Sequence, residues 1–189
     1  MLKRFNQYFK KWFPDPIVFK ERVVTVRGTQ FALRPMTMQD IPTALEIENA
    51  VYGYTPWNRF AFLSELQKRG RTVYLVCIEL ASQNIVGYVG AYFRERRAHV
   101  TIITVAPAWQ RRGLGRMLMN TMIGQAHLMG CTYMTLEVAV DNLGAQRLYH
   151  SLGFANGRIR ENYYTNEHTD AMDMELRFAD QTSTDEESL

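Results

Sequence analysis

Hydrophobic and polar residues alternate along most of the chain in patterns that predict strands in its middle and helices around them. Three apolar runs typical of strands follow one another with only short polar turns between them: "RTVYLVCIEL", "NIVGYVGAYF" and "AHVTIITVA". Because a parallel crossover needs about a dozen residues or more, these turns predict antiparallel pairing. Further strands are predicted at "QFALRPM" and "CTYMTLEVAV", with a closing hairpin over "ANGRIRENYYTNEHTDAMDMELRF".

Helices are predicted where capping residues stand before amphipathic segments. Thr37 and Asp40 form a capping pair at the start of "MQDIPTALEIENAVYG", and Asn58 and Gly70 are candidate start and stop signals for "NRFAFLSELQKRG". Two more helices are predicted at the end of "TVAPAWQRRGLGRMLMNTMIGQAHLMG" and over "NLGAQRLYHSLG". This order of elements, without repeats or a linker, predicts one domain of the α+β or mixed α/β class, with a central sheet covered by helices.

Composition and charge narrow the class of protein further. The chain has 189 residues, of which 47% are hydrophobic, which suits one well-packed core. The net charge is only +3, so we expect no direct binding to nucleic acid. Acidic residues gather in the closing "DQTSTDEESL", which predicts a solvated, disordered tail.

Targeting signals and metal-ligand patterns are missing from the sequence. Cys77 and Cys131 lie far apart and neither has a neighbour at metal-ligand spacing, so we expect a reducing compartment and no metal. The basic start of the chain lacks the apolar core of a signal peptide, and no apolar run approaches the ~18 residues that span a bilayer. These observations predict a soluble, cytoplasmic protein.

The first twenty or so residues combine aromatic and basic side chains. Leu2, Phe5, Phe9 and Trp12 recur at helical spacing, with lysines and an arginine on the flanks. Peripheral contact of residues 1–20 with a membrane surface or the ribosome is one interpretation. An added helix packed on the domain, or a frayed terminus, is the other.

An arginine- and glycine-rich turn joins the third strand of the middle group to a long helix. Pro107 ends the strand, and Gly113 and Gly115 leave the backbone open to close approach. The first turn of a helix attracts anions through its free N–H groups, and arginines add paired donors. We expect this turn to hold a phosphate-bearing ligand, although an ordinary turn with solvated arginines remains an alternative. The spacings of nucleoside-triphosphate and dinucleotide loops are absent.

The surrounding order of motifs makes this interpretation more specific. "VAPAWQRRGLGRMLM" carries the Q/R-x-x-G-x-G/A pattern and resembles the acetyl-coenzyme A pyrophosphate loop of the GNAT superfamily of N-acetyltransferases. "LEVAVDNLGAQRLYHSLGF" and "RIRENYY" also look like that superfamily, in particular its ribosomal-protein-alanine acetyltransferases. The resemblance implies the GNAT fold, a mostly antiparallel twisted sheet flanked by helices, for residues 29–179, with a basic aromatic extension at 1–28 and an acidic tail at 180–189.

The resemblance also implies which residues bind acetyl-coenzyme A. The end of the third middle strand would bind the pantetheine arm and the acetyl group through its backbone, and Asn142 matches a further cofactor contact. Ala106 stands where close relatives often have Asp, which changes little if the contacts there come from the backbone. The strand residues are Ile103, Thr104 and Val105, and the loop residues are Arg111, Arg112, Gly113, Leu114, Gly115 and Arg116.

The resemblance assigns Glu137 as general base and Tyr149 as general acid, and the chemistry suits both. A protein α-amine with pKa ≈ 8 is roughly a tenth neutral at pH 7, so transfer benefits from a carboxylate that accepts the proton. Glu137 lies on an apolar strand, where burial would raise its pKa; a solvent-facing or arginine-paired residue is the alternative. Tyr149 can donate to a leaving thiolate, or simply pack. His150 is expected to be structural.

The sequence says less about the acceptor than about the cofactor. The resemblance implies the N-terminal alanine of a small-subunit ribosomal protein. Two stretches, "AVYGYTPWNRF" and "RIRENYYTNEH", are candidate walls of an acceptor groove. Acetylation of a small amine or a lysine, and a non-catalytic acyl-coenzyme A sensor, remain alternatives. The candidate acceptor-binding residues are Tyr54, Trp57, Arg160, Tyr163 and Tyr164.

Overall fold

The fold was analysed in a computed structural model, which describes residues 17–68, 70–165 and 168–179. These residues form eight strands and four α-helices, in the class that the sequence predicts. The strands are β1 (Arg22–Val26), β2 (Thr29–Pro35), β3 (Thr72–Glu79), β4 (Ile85–Arg94), β5 (Arg97–Val105), β6 (Tyr133–Ala139), β7 (Ala155–Tyr164) and β8 (Thr169–Arg177). The helices are α1 (Ile41–Tyr52), α2 (Arg59–Gln67), α3 (Leu114–Leu128) and α4 (Leu143–His150).

The strands belong to one mixed sheet, in the order β1-β2-β3-β4-β5-β6-β8-β7. Strands β1 to β4 pair antiparallel in turn, as do β6 with β8 and β8 with β7. This confirms the predicted antiparallel pairing for β3 with β4 and the predicted closing hairpin of β7 and β8. The pair β5 and β6 is parallel, with His99 opposite Thr135. The long helix α3 lies between these two strands in sequence, as a parallel connection requires.

The chain divides into two compact units. The first unit comprises the described residues up to Tyr92 together with Ile102–Met119. It contains β1 to β3, most of β4, the end of β5, α1, α2 and the start of α3. Its core is formed by apolar residues from the sheet and both complete helices: Met36, Ile41, Ala44, Ile47, Phe62, Tyr74, Val76 and Tyr88.

The second unit comprises Phe93–Thr101 and the described residues from Asn120 onward. Strand β6 alternates strictly in burial, so Met134, Leu136 and Val138 lie buried on one face. Thr135 and Glu137 therefore project from the other face of the same strand. This alternation sets the direction of the Glu137 side chain.

The capping signals act largely as the sequence predicts. The capping box of Thr37 and Asp40 opens a short 3-10 turn ahead of α1, and Asn58 accepts from the Ala61 N–H at 2.9 Å at the start of α2. The predicted stop at Gly70 is wrong, because α2 ends at Gln67. The Glu65 carbonyl, in the last turn of the helix, accepts from the Thr72 hydroxyl at 2.8 Å.

The amino-terminal part of the chain differs from the expectation in one respect. Residues 22–26, which lie in the predicted extension 1–28, form the edge strand β1 and pair with β2. The apolar alternation of this segment is short and lies among charged residues, so it gives only a weak strand signal. The predicted helix over the first residues and the predicted acidic tail at 180–189 lie outside the described residues. Within residues 17–68, 70–165 and 168–179, none of the helices combines the length and the apolar character needed to cross a bilayer.

Candidate active site

The turn predicted to bind a phosphate follows β5, and we call residues 111–116 the phosphate loop. A 3-10 turn over Pro107–Trp109 follows the strand, and the Gln110 side chain donates to the Val105 carbonyl at 3.0 Å. Arg111 has φ 60° and Gly113 has φ 95°, so two residues adopt left-handed conformations before α3 begins at Leu114. Only glycine adopts the second value without strain. The N–H groups of the first turn of α3 follow at once.

Charge and packing around the phosphate loop also suit a phosphate. Arg111, Arg112 and Arg116 all have exposed side chains. The Arg112 guanidinium lies 4.9 Å from the ring centroid of Trp109, which packs edge-on against Phe31 at 5.5 Å. Exposed guanidinium donors beside an open helix start match the donor set that a pyrophosphate requires. The residues present therefore fit the phosphate end of coenzyme A.

The hairpin between β1 and β2 supports the same loop. The Arg27 guanidinium donates to the Arg111 carbonyl at 3.3 Å, on the residue with the unusual φ. A Cβ on Gly113 would lie 3.3 Å from a methyl group of Val26. The loop is thus held by a strand that the sequence did not predict.

The end of β5 is held closely against β4 within the first unit. The Ala106 N–H donates to the Val86 carbonyl at 2.9 Å, and a Cβ on Gly87 would lie only 2.8 Å from the Thr104 carbonyl oxygen. Thr104 is itself buried. Ile103 and Val105 flank it and are partly exposed, which agrees with a strand end whose backbone is offered to a ligand.

In the second unit, Glu137 is the centre of a group of polar side chains from four strands. Its Oε2 lies 3.2 Å from His99 Nε2 on β5, and its Oε1 lies 3.2 Å from Arg160 Nη2 on β7. Arg160 also donates through Nε to Asp173 on β8 at 2.6 Å. His99 Nδ1 lies 2.8 Å from the Thr135 hydroxyl. We call these five residues, Glu137, His99, Thr135, Arg160 and Asp173, the Glu137 cluster.

The expectation of a raised pKa for Glu137 is wrong, although its premise holds. The Glu137 side chain is only 14% exposed, and burial by itself raises the pKa of the carboxyl. The hydrogen bond and charge interaction with His99, and the charge of Arg160, outweigh burial and the charge of Asp173, so the net pKa is lowered. Glu137 is therefore an ionised carboxylate at neutral pH, paired with an arginine as the alternative interpretation expected.

The predicted acid and cofactor residues of α4 lie in a well-defined helix. Asn142 caps α4, and its side chain accepts from the Ala145 N–H at 3.0 Å. Tyr149 is 6% exposed and packs against Phe154, with ring centroids 5.9 Å apart. The neighbouring His150 is exposed and its Nδ1 lies 3.1 Å from the Phe154 carbonyl, a contact that suits the structural role expected of it.

The predicted acceptor-binding residues fall into two groups, one in each unit. In the first unit, Trp57 packs on Phe62 at 5.2 Å and Tyr54 packs on Tyr52 at 6.3 Å. In the second unit, Tyr163 is 44% exposed, lies beneath the Arg160 guanidinium at 5.5 Å and meets the ring of Tyr164 at 5.1 Å. Arg160 therefore contacts both the predicted base and a predicted acceptor residue.

The buried carboxylate of Glu48 in α1 was not predicted from the sequence. Glu48 is 0% exposed; its Oε1 accepts from the Tyr88 hydroxyl at 2.6 Å and its Oε2 from the Trp57 N–H at 3.1 Å. Burial raises the pKa of Glu48 despite these two donors. Its position one helical turn after Ala44, on the apolar face of α1, was the available signal.

No group of three or more His, Cys, Asp or Glu side chains in the described parts of the chain is arranged to hold a metal ion. Cys77 and Cys131 are both buried, and burial raises the pKa of the Cys77 thiol to about 12. A thiol with so high a pKa is a poor nucleophile at neutral pH.

Comparison with known proteins gives the family to which this fold belongs. The sequence profile of the acetyltransferase (GNAT) family matches residues 41–154, so the chain belongs to this family. The family transfers acetyl groups from acetyl-coenzyme A.

Individual members of the family that resemble this chain carry more specific names. The chain is 34% identical over 143 residues to the ribosomal protein bS18-alanine N-acetyltransferase of Salmonella typhimurium, covering 75% of this chain and 93% of the relative. It is 33% identical over 139 residues to the Escherichia coli enzyme of the same name, covering 72% and 90%. The crystal structure of the ribosomal-protein-S18-alanine N-acetyltransferase from Escherichia coli superposes with a TM-score of 0.71 at 28% identity, covering 82% of this chain and 99% of that one.

Proposed function

We propose that this protein transfers the acetyl group of acetyl-coenzyme A to the α-amine at the N-terminus of a protein, and that its acceptor is the N-terminal alanine of the small-subunit ribosomal protein bS18. The observation that carries the proposal is identity of 33–34% with two bS18-alanine N-acetyltransferases over at least 90% of their length. Because the similarity extends over nearly the whole length of these relatives, it includes the parts that would bind the acceptor. Such an acceptor would be met in the cytoplasm.

Acetyl-coenzyme A would be held at its pyrophosphate by the phosphate loop and the first turn of α3. Arg111, Arg112 and Arg116 supply guanidinium donors, and Gly113 lets the backbone N–H groups approach the ligand. The end of β5 from Ile103 to Val105, with Asn142, completes the proposed set of cofactor contacts. When bound, the cofactor supplies an activated acetyl thioester and a thiol leaving group.

Glu137 is proposed as the general base. A lowered pKa keeps its carboxylate ionised at neutral pH, so that one of its oxygens can accept a proton from the amine. The low basicity is not an obstacle, because an amine nitrogen becomes strongly acidic as it bonds to an acyl carbon. A base of this kind suits an α-amine with pKa ≈ 8 better than a lysine near 10.4.

Tyr149 is proposed as the general acid. A tyrosine hydroxyl with an ordinary pKa of ≈ 10 carries its proton throughout the physiological range and lies close to a thiol in acidity. The position of Tyr149 is fixed by its burial in α4 and its packing on Phe154. A fixed donor loses little entropy when it acts.

The proposed acceptor contacts are Tyr54 and Trp57 in the first unit and Arg160, Tyr163 and Tyr164 in the second. Glu48 supports the first group, since it holds the Trp57 backbone from inside the core. Tyr163 and Tyr164 form a T-shaped pair beside Arg160. Partly exposed aromatic side chains with one polar atom are typical of surfaces that receive a peptide.

The function is tested by intact-mass analysis of three peptides incubated with the protein and acetyl-coenzyme A. The first peptide has the N-terminal sequence of bS18, beginning at its alanine. The second is the same peptide with a blocked α-amine and an added lysine, and the third begins with proline instead of alanine. We expect one acetyl group on the first peptide and none on the others.

Other outcomes would favour the alternatives. Acetylation of only the blocked peptide would replace the proposal with a lysine acetyltransferase. If no peptide is modified although acetyl-coenzyme A binds by calorimetry, a small-amine acceptor or a sensor becomes the better explanation. Sedimentation with ribosomes and with lipid vesicles, with and without residues 1–20, tests the proposed contact of that segment.

A further inference from the structure

His99 and Glu137 make a contact that the proposed chemistry does not itself require. His99 lies on β5, one strand away from Glu137, and its Nε2 is 3.2 Å from Glu137 Oε2. The two side chains are only 10% and 14% exposed. The pairing of β5 with β6 places His99 opposite Thr135, so the next residue on the same face of β6 is Glu137.

Donor and acceptor counting fixes the tautomer of the imidazole. Arg97 Nη2 lies 3.2 Å from His99 Nδ1, and Arg97 Nε donates to the Thr135 hydroxyl oxygen at 3.2 Å. A guanidinium has only donors, so Nδ1 faces Arg97 with its lone pair and carries no proton. The Thr135 hydroxyl, which accepts from Arg97, is the nearer donor to that single lone pair, at 2.8 Å. The ring proton of a neutral imidazole then resides on Nε2, where it points at Glu137.

We propose that His99 is a positioning residue: held by Arg97 and Thr135 as the Nε2–H tautomer, it donates a hydrogen bond to Glu137 Oε2 and thereby fixes the orientation and the ionised state of that carboxylate. This inference rests on the proposed role of Glu137 as base. It assigns His99 no proton transfer of its own, because the Nε2 atom that faces Glu137 already carries a proton.

Other groups around Glu137 also act on its charge. Arg160 on β7 contacts Oε1 at 3.2 Å, and Asp173 lies opposite Glu137 on β8. The Tyr163 hydroxyl interacts with the charges of all three residues. Arg160 Nε also lies 2.6 Å from Asp173 Oδ1, so one guanidinium interacts with two carboxylates. His99 contacts Oε2 of Glu137, whereas Arg160 contacts Oε1. It should therefore have a separable effect.

The direct test is the titration of the Glu137 carboxyl by nuclear magnetic resonance, with glutamate labelled at the carboxyl carbon. The signal of Glu137 is identified as the one lost in Glu137→Gln. In His99→Leu, which removes the donor and keeps an apolar side chain, the titration midpoint should rise by about one pH unit. In His99→Gln, whose amide N–H can replace Nε2–H, most of that rise should be absent.

Two further measurements make the test independent of any single variant. Thr135→Val removes the hydroxyl that orients the ring and should raise the midpoint less than His99→Leu does, whereas Thr135→Ser should leave it unchanged. If the protein acetylates a peptide, the acid limb of kcat/KM should move to higher pH by the same amount as the midpoint. The KM for acetyl-coenzyme A should not change.

An unchanged midpoint in His99→Leu would overturn the proposal, as would a His99→Gln midpoint as high as that of His99→Leu. If His99→Leu does not fold, Thr135→Val and His99→Gln decide the matter. The titration needs no acetyl acceptor, so a failure of the proposed function leaves this result interpretable. Conversely, a confirmed acetyl transfer with an unshifted midpoint would refute only the role of His99.

Discussion

Two regions of this protein offer charged groups to a ligand, and they do so in different ways. The phosphate loop presents exposed arginines at the start of α3, on a turn with two left-handed residues, Arg111 and Gly113. In the Glu137 cluster, the Glu137 carboxylate and its imidazole partner are largely buried, and each is held by side chains from neighbouring strands. The charged groups of the loop therefore lie in solvent, whereas those of the cluster are held by one another.

This difference separates binding from chemistry. An exposed arginine contributes to affinity and is screened by salt. A buried carboxylate with fixed donors contributes to the reaction through its orientation and its protonation state. Variants of the loop should therefore change the KM for acetyl-coenzyme A, and variants of the cluster should change kcat. The following predictions test that separation.

The largest effect is expected for Glu137→Gln. Removing the base should lower kcat by about 10²–10⁴-fold, because general-base catalysis typically contributes that much. The affinity for acetyl-coenzyme A, measured by calorimetry, should stay within about twofold of the wild type. Glu161→Gln, on the exposed part of β7, is the matched control and should be fully active. Equal losses in both variants would contradict the assignment.

Tyr149→Phe should produce a smaller loss in kcat, about 10–100-fold, because the leaving thiolate would lose a proton donor while the ring still packs on Phe154. Single-turnover measurement with an alanine peptide would check this. Tyr133→Phe, on a partly exposed position of β6, serves as control. A Tyr149→Phe enzyme with normal turnover would leave Tyr149 only a packing role.

Gly113→Ala should weaken acetyl-coenzyme A binding by about tenfold and leave the pH dependence of kcat unchanged. The substitution forces a side chain onto φ 95° and places its Cβ 3.3 Å from Val26. Gly124→Ala in α3 is the matched control, since nothing lies within 4 Å of the added Cβ. That variant should instead raise stability by about 0.5–1 kcal/mol, measured by thermal unfolding. If Gly113→Ala shifted the acid limb of the pH profile of kcat, the distinction between a binding loop and a catalytic cluster would be wrong.

Asp40→Asn tests whether a second buried carboxylate that is paired with an arginine affects stability without affecting kcat. Asp40 is 6% exposed and accepts two hydrogen bonds from Arg34, at 2.7 and 2.8 Å. Burial raises its pKa, but the bonds from Arg34 and Thr37 outweigh burial and lower it. We expect Asp40→Asn to cost about 2 kcal/mol of stability at neutral pH and to leave kcat unchanged.

The pH dependence of that loss follows from the sign of the shift. A carboxyl whose folded pKa is depressed contributes stability above its unfolded pKa of about 3.9 and loses it as the pH falls through the folded pKa. The difference in unfolding free energy between wild type and Asp40→Asn should therefore shrink in acid. Urea unfolding at a series of pH values measures it, and a constant difference would contradict the pairing.

The features that the sequence predicted are those encoded within a few consecutive residues. Thr37 with Asp40, and Asn58, are read from local capping patterns, and the order of strands follows from apolar runs. The phosphate loop was predictable for the same reason, because proline, glycine and arginine shape it within one turn. Strand β1 was the exception among local features, since its apolar alternation is short.

The Glu137 cluster could not be predicted in the same way. The contact of His99 with Thr135 joins residues 36 positions apart, and it depends on the parallel pairing of β5 with β6. The bond between Glu48 and Tyr88 spans 40 positions. No local pattern shows which partner a buried carboxylate finds across a sheet. The pKa of Glu137 was expected to rise for this reason, because burial is visible in the sequence and the donors are not.

The contact between Arg27 and the Arg111 carbonyl has a practical consequence for work with shortened versions of the protein. The family profile matches from residue 41, and the most conspicuous motifs lie further along the chain. A truncation placed at that boundary would keep every proposed catalytic residue and still remove β1, β2 and the hairpin that braces the turn. Such a fragment would be a misleading reference for cofactor affinity, and domain exchanges with relatives are better joined ahead of Arg22.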